Sequence, residues 1–168
     1  MKNVLKNVFD DDILIDAIEG MVVIFKKANM SSERIAEEIK GFDEIVRESF
    51  HISALSNGDK ELADRIYGAI TILKNRRISE FKEAVDKGEE KEFLSSMTLA
   101  EKSLLMFDMG LTISSILTEE QQRYYDIIEK SIAEDIKRQA LIEGFNSVEE
   151  WKEHNSRIYS SDDSDFTM

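Results

Sequence analysis

Not one of the 168 residues is proline and only 7 are glycine, so almost nothing in the chain interrupts a helix. Apolar residues recur at the matching interval. Ile13, Leu14, Ala17, Ile18, Met21, Ile24, Phe25 and Ala28 are spaced by three and four, the period of one helix face. Asp10 to Asp12 provide an N-cap and negative charge for the first turn, where the positive end of the helix dipole favours both. Asn29 marks a stop, and Ser31 or Ser32 caps a second stripe of Ile35, Ile39, Phe42, Ile45, Val46, Phe50 and Leu55, with a bend at Gly41.

Asn57-Gly58-Asp59 is the clearest turn. Asp59 then caps a helix carrying Leu62, Ile66, Ala69, Ile70 and Leu73, continuing through Ile78, Phe81 and Val85. Gly88 with Glu89 to Glu92 reads as a helix end and an exposed connection. Three capping boxes follow: Thr98 with Glu101, Thr118 with Gln121, and Ser147 with Glu150. The first opens the most hydrophobic helix, with Leu104, Leu105, Phe107, Leu111, Ile113, Ile116 and Leu117. The second opens a face of Tyr125, Ile128, Ile132, Ile136 and Ala140, closed by Gly144. The third starts a short helix turning Val148, Trp151 and Ile158 to one side. Fold class follows from this periodicity: an all-α, bundle-like single domain of six or seven amphipathic helices over residues 1–158, with an acidic disordered tail at 159–168.

The chain has no cysteine, which excludes disulfides, thiolate metal sites and thiol catalysis. No secretory leader is expected, since the residues before the acidic run at Asp10 lack an apolar stretch, and no apolar stretch is long enough for a bilayer. A cytoplasmic protein is expected. With 35 acidic and 22 basic residues the net charge is −13, distributed as −4 over residues 1–58, +1 over 59–88 and −10 over 89–168. Such an acidic half repels phosphate backbones, so direct nucleic-acid binding is not expected, whereas a basic protein surface is favoured.

The residues that carry chemistry do not assemble into a familiar constellation. Glu48 and His51 have the spacing of a di-iron helix motif, but His154 lacks the partner glutamate, since Trp151 stands three residues before it. Arg47 and His51 miss a helical-ribonuclease spacing by one residue. Glu61 with Asp64 and Glu80 with Glu83 lie one helical turn apart, as magnesium-dependent all-α nucleotide pyrophosphohydrolases require, though in reversed order. A solvated helix face explains such pairs without metal. No nucleophile elbow or glycine-rich phosphate loop exists. Asp108, among Leu105, Phe107, Met109 and Leu111, is the acid expected to need a partner. Lys74, Arg76 and Arg77 form the one basic cluster, expected to pair with Glu80, Glu83 and Asp86 at helical spacing.

These readings lead to a non-enzymatic binding protein that docks on and modulates a protein partner with a basic surface, in the manner of antitoxins, immunity proteins and phage-encoded inhibitors. Its contact surface is expected on the last helix, where Glu149, Glu150 and Glu153 ring Trp151, with Tyr124 and Tyr125 as further aromatic anchors. No cofactor is expected. The alternatives are a magnesium-dependent nucleotide hydrolase using Glu61, Asp64, Glu80 and Glu83, and a homo-oligomer assembled through residues 99–143.

Overall fold

The computed structural model describes Leu5 and residues 9–112 and 116–156. The protein is all-α, with no strand among those residues. The helices are α1 (Asp12–Lys27), α2 (Ser32–Ile39), α3 (Glu44–Ser56), α4 (Lys60–Asp86), α5 (Glu90–Ser95), α6 (Leu99–Asp108) and α7 (Glu119–Ile142), followed by α8 (148–156). Among the described residues no helix is long and apolar enough to cross a membrane. The expected acidic tail, Ile113 and Ile158 lie outside the described residues.

Helix starts are set locally by polar side chains that accept the free N–H groups of the first turn. Asp11 accepts from Ile13 and Leu14, Ser31 from Arg34, Asp43 from Val46 and Asp59 from Leu62. The Asp59 carboxyl is held below its ordinary value by that Leu62 N–H and by Lys26. Thr98 with Glu101 and Thr118 with Gln121 form both arms of their capping boxes. Ser147 accepts from the Glu150 N–H, but the Glu150 carboxylate takes the Asn146 N–H instead of that of Ser147.

Five helix ends close in the same way. A residue with positive φ (Asn29, Gly58, Gly88, Gly110 or Gly144) follows the cap, and the next N–H reaches back to the carbonyl five residues earlier. At Gly110, φ is +72° and Leu111 N–H bonds Met106 O at 3.0 Å. This closure ends α6 at Asp108, nine residues before the expected apolar run finishes at Leu117. Gly88 closes α4 likewise, and the expected exposed connection is largely exposed but is taken up by a short helix, Glu90–Ser95. The end of α2 uses a side chain instead: Arg47 donates from Nη2 to Lys40 O at 2.8 Å and from Nε to Ile39 O at 3.4 Å. Gly41 therefore separates two helices, where a bend was expected.

The contacts divide the chain into two compact units, Met1–Ser79 and Glu80–Met168. The boundary falls inside α4, where no glycine or proline marks the sequence. In the first unit, α1 packs on α3. Ile15, Ile18, Val22 and Phe25 meet Ile35 and Ile39 of α2, Val46 and Phe50 of α3, and Leu62, Ile66, Ile70 and Leu73 of α4 in one cluster. Phe50 is ringed by Phe25 and Phe42 at centroid distances of 5.9 and 5.5 Å. The stripe expected on α1 is thus turned: Leu14 and Met21 sit at the core margin, and Ile13, Ala17 and Ile24 face outward. Ile45 and Leu55 of α3 are exposed as well.

The basic cluster binds acids of neighbouring helices. Lys74 pairs with Glu48 at 3.9 Å, Arg76 with Glu37 at 3.2 Å and Arg77 with Glu44 at 3.2 Å. The expected partners Glu80, Glu83 and Asp86 lie beyond these arginines along α4, whereas α2 and α3 bring acids directly alongside.

Helix α2 approaches α4 closely at Gly68, where Ser32 Oγ donates to Arg65 O at 2.8 Å. A Cβ on Gly68 would stand 2.7 Å from Ser32 Oγ and 3.3 Å from its Cβ. In a free helix, Gly→Ala stabilises by about 0.5–1 kcal/mol. Here Gly68→Ala should destabilise by about 1–3 kcal/mol, because the helices must part. In a Ser32→Gly background that penalty should vanish. A double-mutant cycle by urea denaturation checks this; additive costs would mean that Ser32 is not the obstruction.

In the second unit, α5 and α6 both pack on α7. Phe81, at the end of α4, is fully buried. It packs against Phe93 at 5.8 Å and Tyr124 at 5.7 Å, centroid to centroid. Leu94, Leu105, Ile128 and Ala140 are buried with it. Tyr124 is a core residue and not a surface anchor, and its neighbour Tyr125 is half-buried. Burial and the Glu120 carboxylate, which accepts from Tyr124 Oη at 2.9 Å, together raise the phenol above its ordinary value.

Candidate partner-binding surface

The predicted contact residues fall at the end of the second unit, where α7 turns through Gly144 into α8. Phe145 N–H bonds Ala140 O at 3.0 Å, which fixes the turn and brings α8 back alongside the end of α7. There the Trp151 indole N–H donates to the Glu143 carboxylate. The Phe145 and His154 rings lie 5.3 Å apart.

Trp151 is half-buried, with its polar edge occupied, while Glu149, Glu150 and Glu153 are exposed. Glu149 borders a small cleft of about 270 Å³ together with Lys137, Leu141 and Val148. Leu141 and Ile142 are 60% and 71% exposed. An aromatic ring, two uncovered aliphatic side chains and four carboxylates therefore share one corner. The periodicity does not point to Leu141 and Ile142, because they break the period of the α7 stripe. That mismatch is itself the signal in the sequence: large aliphatics off the buried face are exposed.

The second unit also holds a buried charge. Lys102 of α6 is only 2% exposed, and its ammonium donates to the Asp135 carboxylate of α7. Arg138 approaches the same carboxylate at 3.6 Å. These groups line a cleft of about 250 Å³ with Glu90, Lys130 and Glu134. Glu90 Oε2 is buried there without a hydrogen-bond partner. Asp108, expected to be the charge in need of a partner on α6, is half-buried at the helix end and has an interaction of its own. The helix is rotated so that Lys102, Leu105 and Met106 face inward and Phe107 faces out.

Glu61, Asp64, Glu80 and Glu83 all lie exposed on α4. The first two belong to the first unit and the last two to the second. Glu83 is bound to Lys87 at 2.8 Å, which lowers its carboxyl from the ordinary value. Among the described residues, no group of three or more histidine or acidic side chains is arranged to hold a metal ion. His51 packs its ring 5.8 Å from that of Tyr67, and Arg47 is engaged with the end of α2.

No known protein family, curated protein or solved structure matches the chain.

Proposed function

We propose that this protein is a non-enzymatic binding protein, whose second unit docks on a basic surface of a protein partner and modulates that partner's activity. The observation that carries the reading is the division of charge between the compact units. Residues 1–79 hold 12 basic and 14 acidic side chains, net −2, and residues 80–168 hold 10 and 21, net −11. The first unit is close to neutral, with its basic cluster paired internally. The second unit concentrates the field that steers a cationic partner.

At the α7–α8 corner that field surrounds apolar area, the combination of a desolvated anchor within a charged rim that gives affinity as well as attraction. Small acidic inhibitors of nucleic-acid-handling proteins work on this principle, and the likeness is one of composition and charge, not of fold.

The test is capture by the full chain from a host extract at low and high salt, followed by kinetics with the captured partner. Charge reversal at Glu149 and Glu150 should slow association by about tenfold at low salt, with little effect at high salt. Trp151→Ala should act mainly on dissociation. Partner binding that ignores both salt and these substitutions would overturn the proposal. A melting curve of Trp151→Ala is the control: a midpoint drop as large as that of a core phenylalanine would make Trp151 a packing residue and remove it from the surface.

A further inference from the structure

Helix α1 presents an apolar stripe on the side opposite its buried face. Ile13, Ala17, Gly20 and Ile24, at successive intervals of four, three and four, are all exposed. Ile13 is 82% and Ile24 is 59% exposed, with Val23 also uncovered beside them. Isolated exposed aliphatics are ordinary, but four positions in one helical row form a continuous seam. Gly20 adds a second oddity. Its φ is not positive, and a Cβ there would meet nothing within 4 Å. Nothing among the described residues requires a glycine here, which costs about 0.5–1 kcal/mol relative to alanine in a helix interior. A second helix approaching closely supplies the missing reason.

The order of residues says which helix. Laid antiparallel on a copy of itself about a point between Ile18 and Glu19, α1 sets Ile13 level with Ile24 and Ala17 level with Gly20. The large residues then flank a narrow centre where two backbones can approach. Continued past the helix start, the same register brings Asp10, just before the Asp11 cap, near the level of Lys27, with Asp12 of the first turn close by. The acidic start of one copy therefore meets the basic end of the other: Asp12 lies in the first turn, and Lys26 and Lys27 lie in the last. Lys26 is held by Asp59 at 3.1 Å, which leaves Lys27 for this contact. One patch that is complementary to itself in both shape and charge is what a two-fold interface demands. We infer that the outward face of α1 is an antiparallel homodimer contact between two copies of this chain, separate from the acidic corner of the second unit.

A single pair of helices of 16 residues is a small interface, so the dimer should be weak and concentration-dependent. Sedimentation equilibrium of the full chain between about 1 and 500 μM should show the mass rising from one copy towards two. Ile24→Glu should raise the dissociation constant by about tenfold or more. Its position in solvent leaves the fold intact, which the melting curve checks. Lys27→Glu should weaken association, and Asp10→Lys in the same chain should restore it, a rescue that no folding defect produces.

Orientation is read by cross-linking, since the chain contains no cysteine. A mixture of Ile13→Cys and Ile24→Cys chains should oxidise to mixed disulfide pairs, with little pairing when either variant is alone. A concentration-independent monomer would overturn the inference. So would a dimer indifferent to Ile24→Glu and to the charge exchange, or one in which Ile13→Cys pairs efficiently with itself.

Discussion

Asp135→Asn should destabilise the protein by about 2–4 kcal/mol, whereas Lys102→Met should cost less than about 1 kcal/mol or stabilise. The asymmetry follows from burial. Lys102 carries its ammonium into the second unit with 3% side-chain exposure, while Asp135 keeps 20% and its other cation, Arg138, keeps 70%. Removing the carboxylate takes from a desolvated ammonium the anion that it donates to. Removing the ammonium leaves a carboxylate that water and Arg138 can serve, and methionine fills the volume of the lysine stem. The residual exposure of Asp135 places the first figure towards the lower end of what a fully buried pair loses. Urea denaturation of both variants at constant pH measures the difference. Equal losses would show that the pair contributes as a net attraction, and that Lys102 is not a desolvated charge kept in place by its partner.

Phe81→Ala should remove about 3–5 kcal/mol, since it deletes a fully buried ring that touches both Phe93 and Tyr124. Phe81→Leu should cost distinctly less because most of the volume remains. Phe107→Ala supplies the contrast. Its ring is exposed, so the loss should stay within about 0.5 kcal/mol. Thermal melts of the three variants decide the matter. A large loss at Phe107 would return α6 to the orientation read from its apolar stripe.

Helix existence was legible because it rests on near-neighbour chemistry. Thr98 with Glu101 and Thr118 with Gln121 are capping pairs within one turn, and they form as the spacing predicts. Gly58, Gly88 and Gly144 end helices where a left-handed residue is needed. The α4 stripe from Leu62 to Leu73 is buried as read. Gly110 carries the same signal, but the hydrophobic residues on both sides continue the helical period across it. The contact residues proposed at Glu149, Glu150, Trp151 and Glu153 do share one corner. Glu143, Leu141 and Ile142 join them through a turn that no periodicity encodes.

Which of two apolar faces turns inward is a different kind of question. On α1 the rows Ile15–Ile18–Val22–Phe25 and Ile13–Ala17–Gly20–Ile24 both obey the helical interval, and only packing against α2, α3 and α4 selects the first. On α6, composition pointed to Phe107 and Asp108, yet tertiary contact with α7 buries Lys102, because Asp135 stands opposite and compensates its charge. Arg76 and Arg77 likewise pair with Glu37 of α2 and Glu44 of α3, acids that the spacing along α4 does not point to. Capping, helical period and net charge depend on residues a few positions apart, so the sequence alone determined them. Helix rotation, ion-pair partners and the partition of the chain into two units depend on residues that lie on different helices, far apart along the chain. Those only the tertiary structure decided, because burial energy belongs to the surfaces that meet and not to the helix that supplies one of them.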